Sequence, residues 1–442
     1  MSLTEKIVSY ILSEKYSYFP KEVTQKAKEC FLDFLGSAIA GSELKSSKIA
    51  AEFAKSVFGS GKARIFGTEY SVNPVGAAWA NGIASSALDI DDAHRYAIGH
   101  PGVVIFPSAL AFAQSAKTVD GKGFLEAVII AYEVSTRISI SRFRNKRFSF
   151  STGSWGAYAA AIATGKILSL DRKQMLEAIG ITTSHHPLPP SRKSFLNFGM
   201  VKEATGWASM TGSAAAILAQ SGFSGMKPLL DDRNYHKSSV FDNLGNDYEI
   251  MKVGFKLYPS CLWSHNALEA VLTLRNKHAL KCESIRKIVV RTFMKASQMT
   301  NADPKTVEDA QFSLPFLISV ALRYGKVTPE CFQGVRLRDP KTLEVASKVR
   351  VEFDPTYEKE TPEKYTTSVE VVTNRGSFKK CVDSVKGDYG KPLGLEDLKK
   401  KFRFLTKTVL SNKQATKLVS LALNIEKQLS FDWLECLPSR KL

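Results

Sequence analysis

Three aspartates and two histidines stand within twelve residues of one another; they are Asp89, Asp91, Asp92, His94 and His100. The segment follows an apolar, helix-like stretch and runs into a loop that contains glycine and proline. A carboxylate beside an imidazole can orient it and tune it as a general acid or base near neutral pH. Helix capping by the aspartates is one alternative, and a metal site, for which the spacing is a weak signal, is another. The cluster indicates a site for proton transfer.

A second group of reactive side chains lies in residues 255–265, where Lys256, Cys261 and His265 precede a predicted helix. The N-terminus of a helix attracts anions, so Ser264 and the amides that follow it are suited to hold a carboxylate. The alternative is that Cys261 and His265 are ordinary core residues, and for Cys261 alone this alternative is favoured.

A third, basic group belongs to a proline-rich loop at residues 184–194, which contains Arg192 and Lys193 and is followed by Lys202. Paired basic side chains suit the recognition of carboxylates, and arginine can bind one with two parallel hydrogen bonds. The alternative is a solvated surface loop. All three groups need a scaffold that brings them together.

The first 280 residues or so have the spacing of helices, with apolar residues on one face and many small residues. Small residues at helical spacing predict closely packed helices rather than a cofactor-binding loop. The predicted helices are residues 20–41, 107–117, 123–142, 154–168, 210–220 and 264–277.

After Leu280 the sequence becomes rich in β-branched residues, which predicts strands. The predicted strands are residues 285–292, 346–353, 367–372 and 377–382, with a helix at 309–324 and a hairpin turn at 374–376. Helices return at 397–405 and 414–427. The fold class is therefore mainly α: a large all-helical domain (1–265), a smaller α+β lid domain (266–393) inserted near the C-terminal end, and C-terminal helices (394–442) that rejoin the first domain. A cleft between two such domains is a favoured ligand site.

The chain is basic, with 61 Lys+Arg against 43 Asp+Glu and a net charge of +18. Its densest basic runs, residues 142–147 and 399–403, accompany no nucleic-acid motif, and the second resembles the polar face of a helix. We expect no nucleic-acid partner and a basic pocket for a small anion. Six scattered cysteines, no signal peptide and no membrane span predict a cytoplasmic protein.

At these residues the chain resembles the MmgE/PrpD family, which includes 2-methylcitrate dehydratases, cis-aconitate decarboxylases and iminodisuccinate epimerases. The resemblance covers nearly the whole length. It lies in an Asp-x-Asp-Asp segment with a His-Pro-Gly turn (89–92 and 100–102), Lys-x-Tyr-Pro-Ser-Cys with a later histidine (256–261 and 265), Gln-Phe-Ser-Leu-Pro-Phe (311–316) and Gln-Ser-Gly-Phe-Ser-Gly (220–225).

The resemblance implies a helical domain with a lid, usually a homodimer, that acts on di- and tricarboxylates without metal or organic cofactor. It implies that His100, oriented by Asp89 or Asp92, exchanges an α-proton with the substrate, while lysine and arginine hold its carboxylates. The predicted catalytic residues are Asp89, Asp92, His100, Lys202 and Lys256, and the predicted substrate-binding residues are Arg192, Lys193, Cys261 and His265.

Four positions depart from the decarboxylases and many relatives: Ala93, Phe150, Cys261 and Phe316 stand where polar groups are common. Residues 191–194 and 203–205 resemble the 2-methylcitrate dehydratase branch instead. These features favour a dehydratase-like carbon–oxygen lyase. An epimerase of a dicarboxylate and a non-catalytic carboxylate-binding relative are the alternatives.

Overall fold

The computed structural model describes residues 1–116, 119–142, 151–188 and 199–439. Helices dominate these ranges, so the predicted mainly α fold class is confirmed. The helices of the first half are α1 Leu3–Ser13, α2 Lys21–Gly41, α3 Lys45–Phe58, α4 Pro74–Ser86, α5 Gly102–Ala116, α6 Gly121–Ser141, α7 Gly153–Ile167, α8 Arg172–His185 and α9 Thr205–Gln220. Two short antiparallel ladders also occur here, β1 Ser60–Arg64 with β2 Ser71–Val72 and β3 Asp92–His94 with β4 Val253–Phe255, so this region is not helical throughout.

The second half contains the larger sheet and shorter helices. Its helices are α10 His265–His278, α11 Met294–Ser297, α12 Val307–Gln311, α13 Leu314–Tyr324, α14 Pro340–Ser347, α15 Pro355–Glu358, α16 Leu395–Thr406 and α17 Asn412–Leu423. Its strands are β5 Ile285–Thr292, β6 Val349–Phe353, β7 Thr367–Thr373 and β8 Gly376–Val382.

The prediction that small residues serve close helix packing is confirmed where α7 meets α9. A Cβ atom added at Gly212 on α9 would lie 2.0 Å from the carbonyl oxygen of Ala157 on α7. Such an approach requires glycine, because any side chain would collide with the backbone of the facing helix. The two helices are thus locked together along their small faces.

Helix α5 differs from its prediction, because it begins at Gly102 and carries Pro107 in its interior. A proline in a helix leaves the carbonyl four residues earlier without its usual amide donor. That carbonyl belongs to Val103, and the hydroxyl of Ser85 on α4 donates to it at 3.3 Å. The neighbouring helix therefore compensates for the missing bond, and the helix extends back to the His-Pro-Gly turn.

The four-stranded sheet has the order β6-β5-β7-β8, in which β5 and β6 are parallel and the other pairs antiparallel. The predicted hairpin is present as β7 and β8, and β5 has the predicted bounds. Two predictions for this region were too long. The strand expected from residue 346 begins at Val349, because α14 extends to Ser347, and the helix expected at 309–324 is interrupted at Ser313, whose hydroxyl accepts the Phe316 amide at 3.0 Å.

The two largest hydrophobic cores of the described residues are separate from each other. One gathers the helices of the first half, and Leu398, Phe402 and Leu418 of the C-terminal helices belong to it. The other lies between the four-stranded sheet, α10 and α13. This is the arrangement expected for a lid domain inserted before helices that return, while the boundaries at residues 265 and 393 stay predictions.

Candidate active site

The aspartate segment is positioned by the end of α4 and by a short ladder. After α4 the chain turns through Asp89, whose backbone φ is 52°, and enters β3. Strand β3 pairs with β4 so that Asp92 lies opposite Phe255. Since Lys256 follows Phe255 directly, this register places the lysine beside the aspartates, although more than 160 residues separate them in sequence.

His100 is brought back to the same place by a tight turn. The amide of His94 donates to the carbonyl of Gly99 at 2.8 Å, and the His100 amide donates to Oγ1 of Thr152 at 2.9 Å. His94 itself is fully buried, with Nε2 3.1 Å from Oε2 of Glu249, so it has the surroundings of a structural residue.

The two ring nitrogens of His100 have different surroundings. Nδ1 lies 2.6 Å from the backbone oxygen of Asp92 and 3.0 Å from Oδ2 of Asp91. Nε2 lies 3.9 Å from Oδ1 of Asp89 and 3.7 Å from Oε1 of Glu203. Contacts at Nδ1 fix the orientation of the ring, and the longer distances at Nε2 leave that nitrogen available to a substrate.

The surrounding charges set the protonation of this histidine. Burial and the Lys256 ammonium lower the pKa of His100, but the Asp91 and Glu203 carboxylates outweigh them and raise it to about 9. At neutral pH the ring is therefore an imidazolium, an acid with a proton to donate.

Two lysines face the same carboxylates. Nζ of Lys256 lies 2.9 Å from Oδ1 of Asp89 and 3.7 Å from Oδ1 of Asp91, and its side chain is completely buried. Nζ of Lys202 donates to the carbonyl of Ser86 at 2.6 Å and lies 3.8 Å from Oδ1 of Asp89. Lys202 also has a left-handed backbone, with φ of 46°. Strained residues of this kind cluster at functional sites.

The electrostatic balance keeps both aspartates ionised. Burial raises the pKa of Asp89 and of Asp91, but Lys202, Lys256 and His100 outweigh it and hold both pKa values below their ordinary value of 3.8. In turn Asp89 and Asp91 raise the pKa of the buried Lys256 ammonium, against the effect of burial. The cluster thus consists of mutually stabilised full charges.

A metal ion fits this cluster poorly. Asp89, Asp91 and His100 each offer an atom within 4.8 Å of the others, which is a possible ligand set. The Lys256 ammonium, however, already faces both carboxylates, and the raised pKa of His100 opposes the neutral imidazole that a metal requires. A divalent ion would have to displace the Lys256 ammonium and deprotonate the His100 imidazolium.

Asp92, predicted as a catalytic residue, uses its carboxylate elsewhere. Oδ1 accepts the Gly102 amide at 3.1 Å, and Oδ2 accepts the Tyr132 hydroxyl at 2.6 Å. It therefore holds the start of α5, and only its backbone oxygen contacts His100. The hypothesis that Asp89 or Asp92 orients His100 is therefore corrected in one respect: Asp92 contacts Nδ1 through its backbone oxygen, and the carboxylate beside Nδ1 is that of Asp91. Adjacent residues entering a strand point to opposite sides, so the Asp92 carboxylate faces away.

Cys261 and His265 lie close to this charge cluster. Within the described residues, neither side chain forms a hydrogen bond with a member of the cluster. Burial and Asp89 raise the pKa of the Cys261 thiol, whose residue is 9% exposed. His265 is fully buried, with Nε2 3.3 Å from the carbonyl of Ser260, and burial together with Lys256 lowers its pKa to about 3. His265 is therefore neutral and has the surroundings of a core residue.

The remaining predicted positions lie elsewhere or outside the described residues. Arg192, Lys193 and Phe150 fall outside them. Phe316 packs against Phe332 in the core of the second half, with ring centroids 6.1 Å apart. Ala93 lies in β3 opposite Gly254.

Two carboxylates of the cluster were missed by the sequence-based selection. Asp91 belongs to the quoted Asp-x-Asp-Asp segment but was not chosen. Glu203 follows Lys202, and its Oε2 accepts both the amide (3.0 Å) and the hydroxyl (2.5 Å) of Thr152, the residue that also binds the His100 amide. The adjacency of Glu203 to Lys202 was the available signal.

Comparisons of the sequence with protein-family models identify the family to which this chain belongs. The chain belongs to the MmgE/PrpD family: the MmgE/PrpD N-terminal domain matches residues 5–248, and the MmgE/PrpD C-terminal domain matches residues 258–427.

Curated relatives of two activities are similar over most of the chain. A human cis-aconitate decarboxylase is 26% identical over 450 residues, covering 96% of this chain and 92% of that protein. An Aspergillus terreus cis-aconitate decarboxylase is 24% identical, covering 92% and 90%. A Salmonella typhimurium 2-methylcitrate dehydratase is 23% identical, covering 79% and 77%. These relatives are lyases.

Proposed function

We propose that this protein is a cofactor-independent lyase that acts on a small di- or tricarboxylate by α-proton transfer, with 2-methylcitrate-dehydratase-like chemistry. The observation that carries the proposal is the asymmetric environment of His100. Its Nδ1 is held by the backbone oxygen of Asp92 and the carboxylate of Asp91, while its Nε2 is separated from the nearest carboxylates by 3.7 Å or more. A fixed imidazole with one available nitrogen is the arrangement that general acid–base catalysis needs.

The lysines would supply the positive potential that an enolate-like intermediate requires. Lys202 keeps a small exposed fraction (6% of its side chain), so it is the better placed of the two to contact a substrate carboxylate. Lys256 is completely buried against Asp89, so it would act through its charge and by keeping Asp89 ionised. Arg192 and Lys193 remain proposed carboxylate ligands.

Dehydration is favoured by the protonation of the resting site. Elimination of water from a hydroxy acid needs a base that removes the α-proton and an acid that protonates the departing hydroxyl. His100, with its raised pKa, carries the proton for the hydroxyl at neutral pH, and Asp89, held ionised beside Nε2, would accept the α-proton. The polar positions that many decarboxylases share and this chain lacks, Ala93 and Cys261 among them, point the same way. The identity of 23–26% to both kinds of lyase does not separate the two reactions.

The deciding experiment is proton NMR in deuterated water with 2-methylcitrate, citrate, cis-aconitate and iminodisuccinate offered in turn. Loss of water with a new alkene signal supports the proposal and names the substrate. Decarboxylation would overturn the dehydratase assignment, and deuterium exchange without elimination would favour an epimerase. No change with any of the four would count against the lyase proposal. His100→Gln serves as the inactive control, and His278→Gln, far along α10, as the active one.

We also propose that the protein forms a homodimer through α3. Ile49, Phe53 and Val57 recur every four residues on its outer face and are 52%, 42% and 59% exposed, while Ala50, Ala51 and Ala54 cover its inner face. Trp207, itself 40% exposed, continues this apolar surface. Surfaces of this kind are typical of interfaces. Light scattering should give twice the chain mass, and Phe53→Glu should give a monomer; a monomeric unmodified protein would contradict the proposal.

We propose a reducing, cytoplasmic location for the protein, because the six cysteines, all within the described residues, form no disulfide. No helix in the described ranges is long and apolar enough to cross a bilayer.

A further inference from the structure

Lys401 on α16 is a third buried lysine that reaches the aspartate segment. Its Nζ lies 2.5 Å from Oδ1 of Asp33 on α2 and 2.6 Å from the backbone oxygen of Ile90. Lys401, Asp33 and Ile90 are 8%, 4% and 2% exposed, so the whole arrangement is buried. This corrects the expectation that residues 399–403 form a polar helix face, since Lys401 and Phe402 point inward.

The carbonyl that Lys401 contacts belongs to Ile90, the residue between Asp89 and Asp91 in the sequence. Ile90 separates Asp89, which has the left-handed φ of 52°, from Asp91, which contacts His100. A non-glycine residue keeps such a backbone only when its surroundings fix it. The segment is fixed at Ala87, whose carbonyl accepts the side-chain amide of Gln311 at 3.0 Å, and at Ile90 by Lys401.

We propose that Lys401 is a positioning residue: its hydrogen bond to Ile90 fixes the backbone between Asp89 and Asp91 and thereby holds Asp91 against His100. Asp33 neutralises the buried ammonium, so that Lys401 can donate this bond without an uncompensated charge beside Lys256. Burial and nearby Asp91 raise the pKa of Asp33, while Lys401 lowers it. The lysine and the aspartate therefore act as one buried, nearly neutral unit.

If Asp33 and Lys401 served stability alone, their joint replacement would leave His100 unchanged. Replacing a buried ion pair by apolar residues of similar volume is often neutral or stabilising, whereas removing only one partner is strongly destabilising. The double variant Asp33→Leu/Lys401→Met removes the hydrogen bond to Ile90 while leaving no unpaired charge. It also leaves the net charge near His100 unchanged, so an altered His100 reports a moved backbone rather than a lost charge.

The experiment compares the full-length protein with this double variant and with Lys400→Met, which removes the exposed neighbour on the same helix. The pKa of His100 is followed by carbon-detected or proton–carbon NMR of the imidazole, with its signal assigned by its loss in His100→Gln. We expect the pKa to fall from about 9 toward the ordinary value of 6.5 in the double variant and to stay unchanged in Lys400→Met. An unchanged His100 pKa in a folded double variant would overturn the inference.

A second readout rests on the proposed function. With the substrate that the NMR screen identifies, kcat should fall by about 10²-fold while KM changes little, because a misplaced acid affects the reaction more than binding. A drop in melting temperature with normal kcat and normal His100 titration would show that the pair serves stability alone. Since the titration needs no substrate, failure of the proposed function leaves this inference testable.

Discussion

Oδ2 of Asp91 lies 3.0 Å from Nδ1 of His100, in a place that almost no solvent reaches. Of the four carboxylates near His100, that of Asp91 is the one that contacts Nδ1. The carboxylates of Asp89 and Glu203 approach the other ring nitrogen, and that of Asp92 faces Gly102 and Tyr132. Asp91 therefore both orients the ring and stabilises its charged form.

Asp91→Asn should lower the pKa of His100 from about 9, because the charge and hydrogen bond that raise it are lost while burial and Lys256 still lower it. Activity that depends on the protonated ring should then decline at a lower pH than in the unmodified protein. NMR titration of the imidazole measures the first effect and a pH–rate profile the second. Asp92→Asn is the matched control, since the contact of that residue with Nδ1 is made by its backbone.

His100→Gln should reduce kcat by about 10²–10⁴-fold, the usual contribution of a positioned acid or base. Lys202→Met should mainly raise KM, because a carboxylate-binding cation is lost while the proton donor stays. Steady-state kinetics with the identified substrate separates the two. A His100→Gln protein that turns over at the normal rate would remove His100 from the mechanism.

Lys256→Met should destabilise the fold by about 3–5 kcal/mol, because it leaves Asp89 and Asp91 buried with less compensating charge. Adding Asp89→Asn, a residue that tolerates the left-handed backbone, should recover part of this loss. Denaturant unfolding of the two single variants and the double variant measures the coupling. Strict additivity would show that the 2.9 Å contact between Lys256 and Asp89 contributes nothing to stability.

Asp92 should make stability depend on pH in an unusual direction. Burial raises its pKa to about 7, although the Tyr132 hydroxyl lowers it, so the folded protein holds a proton that the unfolded chain releases near pH 4. Its contribution to stability is therefore full below pH 4 and is lost as the pH rises toward 7.

The measurement for Asp92 is the difference in melting temperature between the unmodified protein and Asp92→Asn at a series of pH values. Between about pH 4 and pH 7 the melting temperature of the unmodified protein should fall relative to that of Asp92→Asn. The other titrating groups are common to both proteins, so their effects on the difference cancel. A difference that does not vary with pH would contradict the raised pKa.

Cys261 should resist alkylation in the folded protein, since its thiol is buried and its pKa is raised. Cys381 and Cys436 are exposed and should react first with iodoacetamide at pH 8. Peptide mass spectrometry after timed labelling gives the order. Rapid labelling of Cys261 would show that the space around Asp89 is far more open than its burial indicates.

The parts that sequence predicts well are those that depend on local pattern. The β-branched run at 285–292 became β5 with its predicted bounds, and the aspartate and Lys256 motifs marked segments that meet in space. Which aspartate carboxylate lies beside Nδ1 of His100 could not be predicted, for a tertiary reason. The direction of each side chain follows from the register of β3 on β4, a strand about 160 residues away in sequence, and no local pattern contains it.

Lys401 illustrates the same limit on a helix. In a run of three lysines, helical periodicity brings Lys401 to the face of Leu398 and Phe402, but it does not show whether the Lys401 ammonium is buried or extends past them to solvent. Packing of α16 on α2 decides it, and Phe402 beside Gly36 fixes the rotation of the helix. Lys401 acts through the backbone carbonyl of Ile90, and a backbone carbonyl cannot be recognised from the residue types in a sequence because every residue has one.

The distance along the chain between Ile90 and Lys401 has a consequence for synthesis. The two residues are 311 positions apart, so a growing polypeptide contains Asp89, Asp91, His100, Lys202 and Lys256 long before it contains the donor that fixes Ile90. Contacts of such long sequence separation form late and slow folding. A nascent chain that ends before α16 therefore carries all the reactive groups in an unfinished arrangement, and the acid–base cluster is completed only when translation has passed that helix.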